Sequence, residues 1–324
     1  MNTSAKPKFD LLNFVSKQRA LALLLLIVVF CIIFSVALPA TFGTLDNFAL
    51  ILLNMSSEAM ILVAITLVLI LAEIDLSLGS IMVFGGILCG LLIIQSGWPT
   101  FPAIVVTLAI SLVMGFINGV IVSKLGVASF IATLATGMIY LGIAVILSGT
   151  GWTDFRDPVF KAMGQEHFLG LQLPVYYMIV IIAIFAYLVG RTRYFRQLYY
   201  IGDNLKAAEL SGINIARVKI TAFVLSAFLA CLSGIITAMR FNTSMPNVGT
   251  GVELRAVTAA VIGGVSFTGG SGTVIGAAMG ALFIAVLNNV LAQAQVSQDM
   301  QYVVTGIVLI LAIVLDIAIA KREK

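Results

Sequence analysis

Ten apolar stretches divide the chain, near residues 20–38, 49–71, 79–95, 101–123, 127–148, 174–190, 216–239, 253–268, 273–296 and 301–320. Within each, apolar residues follow one another without the alternation of a half-buried strand. A helix of about 20 apolar residues crosses a hydrocarbon core, and most of these stretches reach that length. In lipid a backbone must satisfy its own polar groups, which leaves helices or a closed barrel. The missing period of two excludes the barrel. The pattern therefore predicts an all-α, polytopic helical membrane protein with about ten transmembrane helices. The 253–268 stretch is too short and too glycine-rich for an ordinary span and is expected to be broken or re-entrant.

Composition and charge orient this picture. The chain is 61% hydrophobic and 10% charged, where soluble domains carry roughly 25% charged residues. No charge falls between Asp75 and Lys124, between Lys124 and Asp154, or between Arg255 and Asp299. Lys6, Lys8, Lys17 and Arg19 precede the first span, which has no small-residue cleavage site after it and is expected to be retained. The positive-inside rule then places the N-terminus in the cytoplasm. With ten crossings, Lys124, the stretch 191–219 and the tail with Lys321, Arg322 and Lys324 fall on the same side. That side holds fourteen of the 18 basic residues; Arg156, Lys161, Arg240 and Arg255 are the others. The net charge of +4 is thus a topology signal and points to no nucleic-acid partner. The expected organisation is a cytoplasmic segment 1–19, a membrane domain 20–320 and a cytoplasmic tail 321–324. Two outer connections, 149–173 and 240–252, are polar and either solvated or docking surfaces.

Cys31, Cys89 and Cys231 lie in apolar runs and read as small buried hydrophobes. His167 is the only histidine. These residues point to no metal and no cofactor. The glycine-rich "VIGGVSFTGGSGT", 261–273, lacks the Lys-Ser/Thr ending that a phosphate loop needs. Any use of ATP would belong to another chain.

Small residues recur at helical spacing, at Gly86 and Gly90, Gly115 and Gly119, and Gly272, Gly276 and Gly280. Such ladders let helices approach closely where van der Waals packing replaces the hydrophobic effect. "LAEIDLSLGS", 71–80, breaks the second and third spans, as 261–273 breaks the eighth and ninth. The two regions are weakly alike, each following a helix expected to open on a glutamate, Glu58 or Glu253, and they suggest an internal repeat. Broken elements in transporters commonly line the path of the solute. Asp75, Ser77, Gly79, Asn118, Asn288 and Asn289 are the candidate path residues. The asparagines serve either to bond helices together or to meet a polar solute. Glu58 and Asp316 are charges at membrane depth, either functional or snorkelling to an interface.

One stretch, "YIGDNLKAAELSGINIARVKI", 200–220, is polar and capped. Asp203 or Asn204 can cap a helix start, Lys206-Ala-Ala-Glu-Leu favours helix, and Gly212 supplies a left-handed stop. Asn214 caps the helix that re-enters the membrane. Ala207 and Ala208 are small, and Leu205, Leu210 and Ile213 are apolar. The element is either a knob for a partner or an ordinary interfacial loop helix.

Three stretches, in order, carry a family resemblance. "IGDNLKAAELSGINIARVKI" resembles the cytoplasmic loop of sugar-type ATP-binding cassette permeases, the ribose, arabinose, xylose and allose importer family. "EIDLSLGSIMVFGG" is similar to a second motif of that family, with Glu73 where glycine is usual. "VELRAVTAAVIGGVSFTGGSGTVIGAAMGAL" is similar to a third, with Val252 where tyrosine is frequent. The resemblance runs from about residue 45 to 316. It implies a permease subunit in a bacterial inner membrane, multi-pass in lipid, paired with a second copy or a paralogue. A cassette ATPase would contact the cytoplasmic coupling loop 191–215, chiefly at Gly202, Asp203, Asn204, Ala207, Ala208, Glu209, Gly212 and Ile213. A periplasmic substrate-binding protein would deliver a monosaccharide, or another small polyol-like solute, to the side of loop 149–173. The chain itself would not be an enzyme. The rival readings are an ion-coupled secondary transporter or facilitator, with Glu58, Glu73 and Asp75 as its ion site, and a membrane-embedded enzyme, for which no clustered catalytic set is present.

Overall fold

The computed structural model describes residues 19–148, 153–155 and 157–320. Most of the expected cytoplasmic segment 1–19, Arg156, residues 149–152 and the tail 321–324 lie outside the described residues, as does the side chain of Asp316. Thirteen helices run through the described part. They are α1 (Arg19–Ala37), α2 (Leu45–Ile70), α3 (Leu78–Ile94), α4 (Thr100–Ser123), α5 (Ser129–Ser148), α6 (Pro158–Gln165) and α7 (Leu173–Arg191). They continue as α8 (Arg193–Asp203), α9 (Leu205–Leu210), α10 (Ile215–Phe241), α11 (Val252–Ile262), α12 (Val274–Gln293) and α13 (Gln298–Ala320).

The chain is mostly helical, and six described helices are long and apolar enough to cross a membrane: α2, α4, α5, α7, α10 and α12. Residues Leu23–Ala37 of α1 and helix α3 are shorter apolar helices. The expected 253–268 element is α11, 11 residues long, ended by a glycine-rich loop over 263–273. The element is broken, as its length and glycines suggest.

Helix α2 is the axis of the bundle. Every residue from Ala59 to Leu71 is buried, because α10, α12, α11 and α7 all pack on it. Helix α10 in turn packs along α4 and α3. Two of the small-residue pairs sit at helix seams, whereas Gly272 lies in the loop before α12 and Gly90 faces Phe155. Gly115 and Gly119 of α4 face Val224 and Ile220 of α10, and Gly276 and Gly280 of α12 face Gly263 and Ala259 of α11. Helix α1 covers the far side of α12, where Phe30 meets Phe283 edge-on at 6.1 Å.

The two connections expected to lie on the outer side, separate in sequence, form one structure. Strand β1 (Thr153–Asp154) pairs antiparallel with β4 (Thr243–Ser244). Asn242 Nδ2 donates to Phe155 O at 2.6 Å, and Gln165 Nε2 donates to Arg240 O at 3.0 Å. A second small hairpin, β2 (His167–Phe168) with β3 (Leu171–Gln172), precedes α7. Helix α6 is a short amphipathic helix capped by Asp157, whose Oδ1 accepts from Phe160 N at 2.7 Å.

Candidate functional site

The break between α2 and α3 is an irregular segment, residues 73–77. Its backbone has no ladder partner, so its polar groups need others. Helix α5 supplies them from one face. Ile74 N donates to Ser129 Oγ at 3.1 Å, and Leu76 N donates to Thr133 Oγ1 at 2.9 Å. Positions 129 and 133 are one helical turn apart, which sets the two hydroxyls one above the other. Neither residue stood out in the sequence, although two hydroxyls four apart on an apolar helix are the available signal.

Within this segment Asp75 is fully buried. Its Oδ1 accepts from Ser77 N at 2.9 Å and from Ser77 Oγ at 2.6 Å, and its Oδ2 accepts from Ser226 Oγ of α10 at 3.2 Å. Asn118 Nδ2 donates to Ser77 Oγ at 2.8 Å, and Tyr140 OH donates to Asn118 Oδ1 at 3.2 Å. Three of the candidate path residues, Asp75, Ser77 and Asn118, thus meet in one closed network joining the break to α4, α5 and α10. It is a clamp, with each polar group already used. Gly79 stands one turn on, and a side chain there would overlap Gly249 O and the Glu253 carboxylate. Gly79 is thus packed closely against neighbouring backbone, with no room for a side chain. Glu73, at the head of the segment, is paired with Lys219 at the start of α10, both nearly buried. The departure from the family pattern at 73 has a basic partner.

Asn288 and Asn289 lie elsewhere. Asn289 forms a reciprocal amide pair with Asn47, at 3.0 and 2.8 Å, and Gln293 Nε2 also donates to Asn47 Oδ1. Asn289 therefore joins α12 to α2. Its neighbour Asn288 borders a cavity of about 400 Å³ among α2, α11, α12 and α13. Glu58 stands in that cavity wall, where its Oε1 accepts from Arg255 Nη2 at 2.7 Å and Nε at 3.2 Å. Glu58 is also thirteen positions into α2 rather than at its start, so the expected match with Glu253, which does open α11, holds for one half only. The two breaks nevertheless touch, since Gly270 N donates to Ile70 O at 3.0 Å.

The polar stretch at 200–220 holds two helices. Arg193–Asp203 form an amphipathic helix that the basic composition of this stretch conceals, with Leu198 and Ile201 buried. Gly202 and Asp203 are its last turn, so of the two expected cap residues Asp203 belongs to the preceding helix, and Gly202 lies directly on Ile70 O. Asn204 is the cap of α9, its Oδ1 accepting from Ala207 N at 3.0 Å. Gly212 has φ +80°, the left-handed stop, and Asn214 caps α10. Asp203, Asn204, Ala207, Ala208, Gly212 and Ile213 line a recess of about 490 Å³ beside α9, and Leu210 projects outward at 81% exposure. Ala207 is open, but Ala208 is 3% exposed and packs inward. The expectation that both alanines present free surface holds only for Ala207. Glu209 is exposed and pairs with Lys206 at 3.5 Å. This end of the molecule lies by the C-terminal end of α2. The Asn288 cavity lies against the N-terminal half of α2.

A family described as branched-chain amino acid transport system, permease component, matches residues 47–313. The chain is 35% identical over 314 residues to the ribose import permease protein RbsC of Haemophilus influenzae, covering 95% of each chain. It is 35% identical to the RbsC protein of Escherichia coli K12, covering 93% of each. The autoinducer 2 import system permease protein LsrC of Shigella flexneri is 32% identical, over 94% of this chain and 89% of that one. No solved structure matches. The relatives are import permeases of the kind the three motifs resemble. With that match over most of its length, the chain belongs to the permease family described as a component of the branched-chain amino acid transport system.

Proposed function

We propose that this chain is the membrane-spanning permease subunit of a bacterial importer for a monosaccharide or similar small polyol. A partner cassette ATPase powers it, and a periplasmic binding protein feeds it. The observation that carries this reading is end-to-end similarity to two kinds of import permease, named for ribose and for autoinducer 2. The family description names branched-chain amino acids and so does not choose the solute. The recess beside α9, with Leu210 beside it, supports the ATPase contact at 202–213, because an exposed apolar side chain on a rigid, capped element suits a protein partner. About ten crossings, cytoplasmic termini, the inner membrane and a dimer with a second copy or paralogue complete the proposal.

The three carboxylates expected to form the site of an ion-coupled carrier are each already engaged, whereas Glu253 Oε2 is buried with no hydrogen-bond partner among the described residues. Glu58 is paired with Arg255, Glu73 with Lys219, and Asp75 accepts three hydrogen bonds. The test is direct. Deleting the partner ATPase is expected to abolish uptake in cells while this chain still inserts in the membrane, and the purified chain is expected to hydrolyse no ATP. Uptake that survives without the ATPase and collapses with an ionophore would overturn the importer reading in favour of the carrier.

A further inference from the structure

We infer that the cavity among α2, α11, α12 and α13 is a binding subsite for a neutral polyhydroxyl solute, with Asn288 as its recognising side chain; this rests on the import reading proposed above. The volume, about 400 Å³, falls within the roughly 300–1,000 Å³ typical of small-molecule pockets. Its floor is made of short side chains, Ala256, Ala259, Ala281 and Ala285, which create the space. Met55 and Leu62 add apolar surface for the C–H face of a sugar ring. Asn288 lines this surface, and its amide is not spent on a neighbour. Its Oδ1 is buried and has no hydrogen-bond partner among the described residues. Buried amides are almost always bonded, so this amide, turned about its own side-chain bond to bring the oxygen to the cavity, is suited to a ligand's hydroxyl. Its neighbour Asn289, one position along, is fully spent on Asn47 and makes the contrast.

The charge of the cavity selects the class of solute. Glu58 and Arg255 neutralise one another within it, and Arg255 Nη1 also donates to Thr250 O at 3.1 Å. A solute with no net charge leaves the pair intact and meets an amide that suits hydroxyl groups. A zwitterionic amino acid would have to open the pair and recruit each half separately. The geometry thus favours a sugar over the branched-chain amino acids in the family description. The cavity borders the N-terminal half of α2, away from α9.

The experiment uses cells carrying the intact transporter and radiolabelled ribose, xylose, glucose and leucine as probes. Asn288→Leu keeps the volume and removes the amide, and is expected to lower uptake of the transported sugar at least tenfold. Asn288→Gln, which retains an amide, is expected to keep most of it. Ala292→Phe adds bulk one turn from Asn288 at an exposed position of the cavity wall, where folding is not at stake, and is expected to lower uptake at least fivefold. In every variant the ATPase should co-purify as in wild type. Wild-type uptake by both Asn288→Leu and Ala292→Phe would overturn the assignment, as would wild-type cells that carry leucine or none of the three sugars. ATPase-independent uptake would instead overturn the importer reading, so the two failures are distinct.

Discussion

Asp75→Leu is expected to abolish uptake and to cut the yield of folded chain several-fold. The substitution leaves the Ser77 N–H, the Ser77 hydroxyl and the Ser226 hydroxyl without their acceptor in a site closed to solvent. Each buried group left unsatisfied costs about 1–3 kcal/mol, and three together approach the whole stability of many proteins, roughly 5–15 kcal/mol. The loss spreads, because Ser77 also holds Asn118 and Asn118 holds Tyr140. Asp75→Asn retains one acceptor oxygen and should fall between. Ser226→Ala removes only the longest of the three bonds and should cost about 1 kcal/mol. The measurements are the monodisperse fraction of solubilised chain, its thermal midpoint and sugar uptake. A thermal midpoint and uptake unchanged in Asp75→Leu would show that the network contributes little.

The second large effect concerns α9. Ala207→Trp is expected to release the partner ATPase and lower uptake at least tenfold, with the chain itself still inserted and folded. Ala207 is open to the recess, so the new ring occupies space that the proposed partner needs. Gly212→Val should act in the same direction by another route. No atom lies within 4 Å of a side chain built at 212, so its cost is the left-handed backbone alone, about 1–2 kcal/mol or more for a branched residue. Ala208→Trp is a poor test of docking, because the inward packing of Ala208 would be disrupted first. Charge reversal at Glu209 should do little, since an exposed pair such as Lys206–Glu209 is worth about 0–1 kcal/mol. The assay is co-purification of the ATPase with each variant. If Ala207→Trp and Gly212→Val both retain it and transport normally, α9 is a surface turn without a partner.

Local chemistry was the legible part of this chain. Apolar runs located the helices to within a few residues. Caps at Asn204 and Asn214 and the stop at Gly212 were readable because each acts over three or four positions. Helix α8 was hidden by Arg193 and Arg196, which make an amphipathic helix look like a basic linker. Which way Ala208 faces on a six-residue helix depends on what packs beneath it, and that is set by distant residues. The same holds for the polar set. Asp75 and Ser226 are 151 positions apart, and Asn47 and Asn289 are 242. Nothing local distinguishes an asparagine that bonds to another from its neighbour Asn288, which faces a cavity.

The enclosure of α2 has a consequence for how the protein is made. Helix α2 is complete at residue 70, but α10, which wraps it, begins at 215. At about 5–20 residues per second, roughly seven to thirty seconds of synthesis separate the two. Through that interval a helix carrying Asn47, Ser57 and Glu58 must wait in lipid or against the insertion machinery, without Asn289, Arg240 and Arg255, which later satisfy them. Val68, which packs on Phe223 in the finished fold, reports the change. A photo-crosslinking residue at 68 should capture lipid or an insertase in nascent chains halted before 215, and α10 once synthesis is complete. The helix at the centre of the bundle is thus among the earliest made, and its biogenesis is a matter of being kept safe until it is needed.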